Sequence, residues 1–255
     1  KKYNITQIKS LIKIKKIKFN FFFITNPSSM HLKYAIVLAK LGINIFIEKP
    51  LSNSTSNVNK LKKIIKEKRN KCMVGFNLRF NDCYKYIKKK LQINFFGKIY
   101  KVDIFNGEYL PNYHNYENYK NTYAAKKKLG GGVLLTQIHE LDLILSLFGK
   151  PKKIISHVCK LSNLKIDVED NVDIIMAYRN KFIVNLHMDY FTKPSIRYFK
   201  IFGTKKDLYW DYHKNSITIF NKKNLLEQKV KFKKFNRNDM YVSEIKSFFN
   251  PKINS

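Results

Sequence analysis

A glycine-rich turn followed by an ionisable pair is the feature of this sequence that most suggests chemistry. Gly130, Gly131 and Gly132 lead directly into an apolar segment of helical spacing that carries His139 and Asp142. Glycines allow positive φ and let a ligand approach the backbone closely, and a histidine can exchange a proton near neutral pH. This pattern indicates a loop leading into a helix that presents a titrating group. A glycine turn before a core helix with one satisfied histidine is the alternative.

A lysine at the end of a predicted strand is the second chemical candidate. Lys49 stands between Glu48 and Pro50, and the proline restricts the lysine backbone. Ligands of parallel sheets bind beyond the carboxyl ends of the strands, where this lysine is expected. Because lysine is abundant along the whole chain, a solvated surface lysine is the competing interpretation. The Lys49–Pro50 bond could also be cis.

Short apolar runs alternate with amphipathic helices in the first part of the chain. This order predicts β-α-β-α-β and therefore a parallel sheet with right-handed crossovers. We predict a surface helix over 6–18, strands over 20–25, 43–47 and 71–76, and helices over 30–41 and 54–69. Three polar strand ends should meet at one sheet edge: Thr25-Asn26-Pro27, Glu48-Lys49-Pro50 and Gly75-Phe76-Asn77.

The second part of the chain has a different pattern, beginning after a lysine-rich helix predicted over 80–91 and a glycine at Gly97. Consecutive strand-like runs without intervening helices predict an α+β domain with a large, mostly antiparallel sheet. The runs lie at 98–109, 152–159, 171–178, 182–188, 198–202, 208–211, 217–220 and 227–232, and a helix follows over 240–249. We therefore expect an α/β protein of two domains, 1–95 and 96–255.

The formal charge of +32 raises the possibility of a nucleic-acid partner. Lysine is spread over nearly every segment, together with abundant asparagine, isoleucine, phenylalanine and tyrosine, which is typical of a coding bias toward A/T-rich codons. Arginine, which sequence-reading proteins favour for contacts with guanine, is scarce. The composition therefore does not favour a nucleic-acid partner. The five arginines are Arg69, Arg79, Arg179, Arg197 and Arg237.

Composition also bears on the compartment. The three cysteines, Cys72, Cys83 and Cys159, lack Cys-x-x-Cys spacing, which argues against a disulfide framework and against a zinc site. No run of roughly 18 uncharged apolar residues indicates a membrane span, and lysines interrupt the opening segment where a secretory signal would need an apolar region. We expect a cytoplasmic protein without a membrane or metal partner.

Four motifs, in this order, resemble the Gfo/Idh/MocA family of NAD(P)-dependent oxidoreductases. They are Thr25-Asn26-Pro27-Ser28-Ser29-Met30-His31, Glu48-Lys49-Pro50, Gly75-Phe76-Asn77-Leu78-Arg79-Phe80, and Gly130-Gly131-Gly132 through His139-Glu140-Leu141-Asp142. Later segments resemble members that act in sugar and surface-polysaccharide metabolism: Val168-Glu169-Asp170-Asn171, His187-Met188-Asp189-Tyr190 and Trp210-Asp211. The resemblance covers nearly the whole chain.

That resemblance implies a partial Rossmann domain over 1–95 and a substrate and oligomerisation domain over 96–255. It implies NAD or NADP as cofactor, a sugar, sugar-nucleotide or polyol substrate, and a homo-oligomer (dimer or tetramer). Carried over by position, Lys49 and His139 are the catalytic residues. The cofactor would contact Thr25, Asn26, Pro27, His31, Glu48, Lys49 and Asn77, and the substrate would contact Arg79, Tyr123 and Asp142.

The sequence departs from the family in two respects. Nothing before Phe19 supplies the Gly-x-Gly-x-x-Gly turn that binds the pyrophosphate, and the chain stops soon after the last predicted helix, so we expect a fragment. Many members also place an aspartate three or four residues before the histidine, where this chain has Leu135 and Thr136. A non-catalytic or decayed family fragment that serves as a sugar-sensing or interaction module is therefore the alternative function.

Overall fold

This computed structural model describes residues 19–114, 116–223, 225–232 and 236–250. The helix predicted over 6–18 lies outside these residues. The chain divides into two compact units, of which the first ends at Gly75 and the second begins at Phe76. Each unit has its own hydrophobic core.

The first unit is a parallel sheet with helical crossovers, as the alternating pattern predicts. The three strands among its described residues are arranged in the order β1-β2-β3, and each neighbouring pair is parallel. A turn of 3-10 helix at Ser28–Met30 precedes α1, and the buried residues of α1 pack on the sheet. The elements are β1 (Phe21–Ile24), α1 (His31–Lys40), β2 (Asn44–Glu48), α2 (Val58–Lys68) and β3 (Cys72–Gly75).

The second unit begins earlier than the boundary expected near residue 95. The reason is the helix α3 (Asp82–Gln92), whose buried residues Cys83, Tyr84 and Ile87 pack in the core of the second unit. The side chain of Asn81 caps this helix by accepting hydrogen bonds from the backbone N–H groups of Cys83 and Tyr84. The change of sequence pattern at Gly97 therefore marks the start of the large sheet and not the start of the compact unit.

In the described part of the second unit, the large sheet has eight strands and is mostly antiparallel, as predicted. The strand order is β11-β10-β9-β8-β4-β7-β6-β5, and β4 and β7 are its parallel pair. Alternate residues of β4, such as Val102 and Ile104, point into the core. The strands are β4 (Ile99–Gly107), β5 (Lys153–Cys159), β6 (Asn171–Ala177), β7 (Ile183–Asp189), β8 (Ile196–Gly203), β9 (Lys206–Asp211), β10 (Ser216–Asn221) and β11 (Leu226–Lys231).

The segment after the three glycines forms two helices, where its apolar spacing predicted one. A short helix α4 (Val133–Thr136) is followed by a break and then by α5 (His139–Phe148). The break coincides with Gln137, whose buried side chain donates to the Tyr113 hydroxyl and to the Asp189 carbonyl. His139 consequently starts a helix instead of lying within one. The last helix, α6, spans Arg237–Phe249.

Within the described residues, no single helix has the length and apolar character needed to cross a membrane. Lys127–Thr136 and His139–Phe148, a pair bent by 50°, meet that requirement only together and by length and composition alone.

Candidate functional site

An arginine and an aspartate from the predicted site are joined in the second unit. Arg79 lies in a 3-10 helix that directly follows β3, and Asp142 lies in the first turn of α5. The guanidinium donates two hydrogen bonds to the carboxylate, from Nε to Oδ2 at 2.8 Å and from Nη2 to Oδ1 at 2.6 Å. This bond to Asp142 raises the pKa of the Arg79 guanidinium. The arrangement is a bidentate, charge-assisted pair, which fixes both side chains in orientation.

His139 is placed one helical turn before this pair. The half-buried imidazole makes an edge-to-face contact with the Phe76 ring, at 6.0 Å between ring centres. The Arg79 guanidinium lies 5.7 Å from the centre of the same ring. His139 and Asp142 are three residues apart on α5 and so share a helical face. The structure therefore brings together His139, Asp142 and Arg79 around Phe76.

The glycine turn is shaped by a carboxylate that lies against it. Gly132 has φ of +102°, and a Cβ there would overlap the Glu169 carboxylate. The backbone carbonyl of Glu169 accepts a hydrogen bond from the N–H of Val133 at 3.2 Å. The side-chain Oε1 of Glu169 accepts a hydrogen bond from the N–H of Leu134, also at 3.2 Å. Burial raises the pKa of the Glu169 carboxyl, against the opposing effect of hydrogen bonds from the backbone N–H groups of Glu169 and Leu134. Glu169 therefore holds the first turn of α4.

Thr136 and Gln137, shortly before His139 in the chain, are buried. Thr136, at the position where an aspartate was expected from the family resemblance, is 7% exposed, and its hydroxyl interacts with the Tyr190 phenol. Burial raises the pKa of Tyr190 well above its ordinary value. Tyr123, a predicted substrate contact, begins a 3-10 helix before the glycine turn and is 36% exposed.

In the first unit, a buried histidine lies between the loops that follow β1 and β2. His31 is 1% exposed, and its Nδ1 lies 2.7 Å from the Pro50 carbonyl oxygen. Its Nε2 lies 2.7 Å from the Asn26 carbonyl oxygen. Both ring nitrogens are thus engaged by the protein backbone. The contact between His31 and the cofactor that the family resemblance implies stays a prediction.

Glu48 and Lys49 follow at the end of β2, as predicted. The Lys49 N–H donates to Glu48 Oε2 at 3.3 Å, and both side chains are partly exposed. Burial raises the pKa of the Glu48 carboxyl, and the charges of Lys49 and His31 oppose that rise. The Lys49–Pro50 peptide bond is cis.

The loop that follows β1 offers a hydrogen-bond acceptor to a ligand. Among the described residues, the buried Oδ1 atom of Asn26 has no hydrogen-bond donor. A hydroxyl or amide of a dinucleotide supplies such a donor, so this atom fits the expected cofactor. Thr25 is exposed beside it, whereas the expected cofactor contact Asn77 is 4% exposed in the second unit. The Pro27 carbonyl accepts from the N–H of Met30 and starts the turn into α1.

Reasoning from the sequence missed Phe76. Its side chain is neither polar nor ionisable and so gave no chemical signal, although it occupies one of the three strand ends that were predicted to meet at the sheet edge. Its position directly after β3 was the available signal. Within the described residues, no group of three or more His, Cys, Asp or Glu side chains is arranged to hold a metal ion. The three cysteines are free thiols.

Two family models match the chain in succession. A model described as oxidoreductase family, NAD-binding Rossmann fold, matches residues 1–76. A second, described as the GFO/IDH/MocA C-terminal domain, matches residues 84–209. The two matches correspond to the parallel sheet and to most of the large sheet.

Characterised relatives include sugar and polyol dehydrogenases. Levoglucosan dehydrogenase of Pseudarthrobacter phenanthrenivorans is 28% identical over 129 residues, which are 50% of this chain and 32% of that protein. The scyllo-inositol 2-dehydrogenase (NAD(+)) of Bacillus subtilis is 28% identical over 158 residues, which are 61% of this chain and 43% of that protein. The matched part is therefore less than half of the length of each of these relatives.

The fold is also that of a solved dehydrogenase. A structure of levoglucosan dehydrogenase in complex with NADH and levoglucosan superposes with a TM-score of 0.83 at 18% identity. The superposition covers 95% of this chain and 73% of that one. Both domain models, their order along the chain and this shared fold confirm the resemblance that the four motifs indicated. The chain belongs to the Gfo/Idh/MocA family of NAD-binding oxidoreductases.

Proposed function

We propose that the protein catalyses hydride transfer between a nicotinamide cofactor and a secondary alcohol of a sugar, sugar nucleotide or polyol. The observation that carries the proposal is the group formed by His139, Phe76, Arg79 and Asp142, because it places an ionisable imidazole next to a fixed carboxylate. Family membership and the sugar and polyol dehydrogenases among the relatives support the same substrate class.

His139 is the proposed acid/base. When a secondary alcohol is oxidised, its C–H bond breaks with both electrons leaving as hydride, its O–H proton is removed, and a C=O bond forms. The nicotinamide, when bound, accepts the hydride. A histidine is suited to take the hydroxyl proton at neutral pH. The contact with Phe76 restricts the orientation of the imidazole that must accept this proton.

Lys49 is the proposed second catalytic residue. A lysine ammonium can hydrogen-bond the reacting oxygen and stabilise the negative charge that develops on it. Asp142, oriented by Arg79, is the proposed acceptor for a substrate hydroxyl, and Tyr123 is a further proposed substrate contact. Asn26 Oδ1 is the proposed acceptor for the cofactor, with Thr25, Pro27, Glu48 and Asn77 as further proposed contacts.

Turnover by single variants of the full-length protein tests these roles. We expect reduction of NAD+ or NADP+ with a panel of sugars, sugar nucleotides and polyols, and a loss of about 100-fold or more in kcat for Lys49→Ala and for His139→Ala. Binding of NADH, followed by its fluorescence, should change much less. The exposed His213→Gln is the matched control. Near-normal kcat in both alanine variants would refute the assignment.

A non-catalytic sugar-binding member of the family is the second candidate. The observation that favours it is Thr136, a buried neutral residue where an acid/base partner of the histidine was expected. Saturable sugar binding without turnover of any nicotinamide, in a protein with a complete dinucleotide site, supports this candidate. Turnover that depends on His139 excludes it.

We also propose a homo-oligomer that forms through the outer face of the large sheet. This face carries stacked rings from three neighbouring strands: His187 lies 4.5 Å from Phe105, and Phe105 lies 5.7 Å from Tyr198. A sheet face with such rings is stabilised by a covering layer. Light scattering should show a dimer or tetramer that Tyr198→Lys dissociates and that Tyr116→Lys, on an exposed loop, leaves intact. A monomeric wild type would contradict the proposal.

A further inference from the structure

His31 contacts the backbone of two different loops through a single ring. Its Nδ1 is 2.7 Å from the carbonyl oxygen of Pro50, after β2, and its Nε2 is 2.7 Å from the carbonyl oxygen of Asn26, after β1. The side chain is 1% exposed. We call this pair of contacts the His31 bridge.

The chemistry of the two partners determines the protonation state that the bridge requires. A carbonyl oxygen can only accept a hydrogen bond, and a neutral imidazole carries an N–H on only one of its two nitrogens. In the neutral form, one nitrogen lone pair would therefore face a carbonyl lone pair in a buried position, which is repulsive. Both contacts become hydrogen bonds only when both nitrogens are protonated.

Glu48 and Lys49 are the charged residues at the end of β2. The Glu48 carboxylate is attracted to a positive charge on His31 and to the positive charge of Lys49. The position of His31 at the first residue of α1 opposes a cation, because the N-terminal end of a helix carries partial positive charge. Glu48 and the two carbonyl oxygens provide the compensating negative charge.

We infer that His31 is a positioning residue which, as a buried imidazolium, ties the loop that carries Asn26 to the loop that carries Lys49. The inference rests on the proposed function for the roles of those two residues. It assigns His31 no contact with cofactor or substrate.

The bridge has a specific consequence at each end. At Asn26 it fixes the backbone of the residue whose buried Oδ1 lacks a donor among the described residues, and so aims that oxygen. At Pro50 it fixes the carbonyl directly after Lys49, and so restricts where the ammonium can lie. Small displacements of groups that position a reaction lower the rate strongly, by up to about 100-fold.

Nitrogen-15 NMR of the histidine rings tests the bridge directly. The experiment uses the full-length protein labelled at its histidines and measured at neutral pH, with His31→Gln to assign the His31 signals. We expect two protonated ring nitrogens for His31. One protonated and one unprotonated nitrogen at His31 would overturn the inference.

The assignment does not depend on the folding of the His31 variant. Substitution of every other histidine one at a time assigns the His31 signals by elimination. Those in this sequence are His114, His139, His157, His187 and His213. A glutamine has one donor nitrogen in its side chain and cannot reach both carbonyls, so a folded His31→Gln isolates the loss of the bridge.

Cofactor binding and turnover provide the second measurement. We expect His31→Gln to raise the Kd for NADH about tenfold and to lower kcat by up to about 100-fold, whereas the exposed His213→Gln changes neither. Wild-type values for both constants in His31→Gln would show that His31 positions nothing. If the proposed function alone were wrong, the wild type would lack turnover but would still show two protonated nitrogens at His31.

Discussion

Arg79 holds the carboxylate of Asp142 by two parallel hydrogen bonds of 2.8 and 2.6 Å, although the two residues are 63 positions apart in the chain. The pair links the first residues of the second unit to the helix that begins with His139. Asp142 is 8% exposed, whereas half of the Arg79 side chain is exposed. The carboxylate is therefore held in one orientation, while the arginine remains open to solvent.

Replacing Arg79 by lysine should separate geometry from charge. Lysine keeps the positive charge but cannot make two parallel hydrogen bonds, so Asp142 would lose its fixed orientation. Because Arg79 is half exposed, we expect a loss of only about 1 kcal/mol in the free energy of unfolding. The KM for the substrate should rise about tenfold, by the loss of about 1.4 kcal/mol of binding.

The exposed Arg179→Lys is the matched control for this change. It should alter neither the urea midpoint nor KM, since Arg179 lies in the turn between β6 and β7. Equal KM values for Arg79→Lys and the wild type would remove Asp142 from the substrate site.

The sequence predicted the strands of both sheets, and it predicted a parallel sheet followed by a mostly antiparallel one. Both predictions depend on the local periodicity of apolar residues. It also singled out Arg79 and Asp142 separately. Their pairing could not be predicted, because nothing local to either residue specifies a partner 63 positions away. The same holds for His31, whose carbonyl partners are fixed by the turns after two different strands.

Gly132 should tolerate alanine much less well than another glycine of positive φ. An alanine at Gly132 combines unfavourable φ with overlap of its Cβ and the Glu169 carboxylate, whereas at Gly149, with φ of +73°, the Cβ meets nothing within 4 Å. We expect Gly149→Ala to lose about 1 kcal/mol and Gly132→Ala to lose at least about 3 kcal/mol in urea unfolding. Similar losses in the two variants would show that Glu169 does not constrain the turn.

His187 should give the protein a pH-dependent stability. Burial disfavours its charged form, but hydrogen bonds to Asp189 and Asp173 outweigh burial and raise the pKa of His187. A histidine whose pKa is higher in the folded than in the unfolded state binds more protons when folded. Its contribution is therefore complete below the unfolded value of about 6.5 and is lost as the pH rises through the folded pKa.

Urea unfolding of His187→Gln at about pH 5.5 and about pH 8.5 measures this contribution. We expect the variant to be less stable than the wild type at the lower pH and the difference to shrink at the higher pH. His213→Gln, at an exposed position, should show no such trend. A difference that is constant with pH would contradict an imidazolium between Asp173 and Asp189.

The break between α4 and α5 shows why local spacing gave the wrong helix boundary. The apolar residues from Val133 onward keep helical spacing through Phe148, so the pattern predicts one continuous helix. The buried amide of Gln137 instead bonds to Tyr113 and to the Asp189 carbonyl, and these tertiary partners end α4. A polar residue within an apolar helical pattern was the available signal for this break.

The buried pair of Glu140 and Arg197 should be strongly coupled. Glu140 is 2% exposed, and its Oε1 accepts from Arg197 Nε at 2.7 Å and lies 2.5 Å from Nη2, while the guanidinium stacks 4.4 Å from the Tyr212 ring. Removing one partner leaves the other charge buried and unpaired, which costs about 3–5 kcal/mol. We therefore expect a loss of that size for Glu140→Gln and for Arg197→Met in urea unfolding.

The double variant Glu140→Gln/Arg197→Met distinguishes pairing from simple packing. When both charges are absent, no unpaired charge remains buried, so the double variant should lose clearly less than the two single variants combined. Additive losses would mean that each side chain stabilises the fold independently through its packing. Since Glu140 directly follows His139, we also expect each single variant to lower kcat more than the double variant does, because an unpaired charge at this position disturbs the first turn of α5.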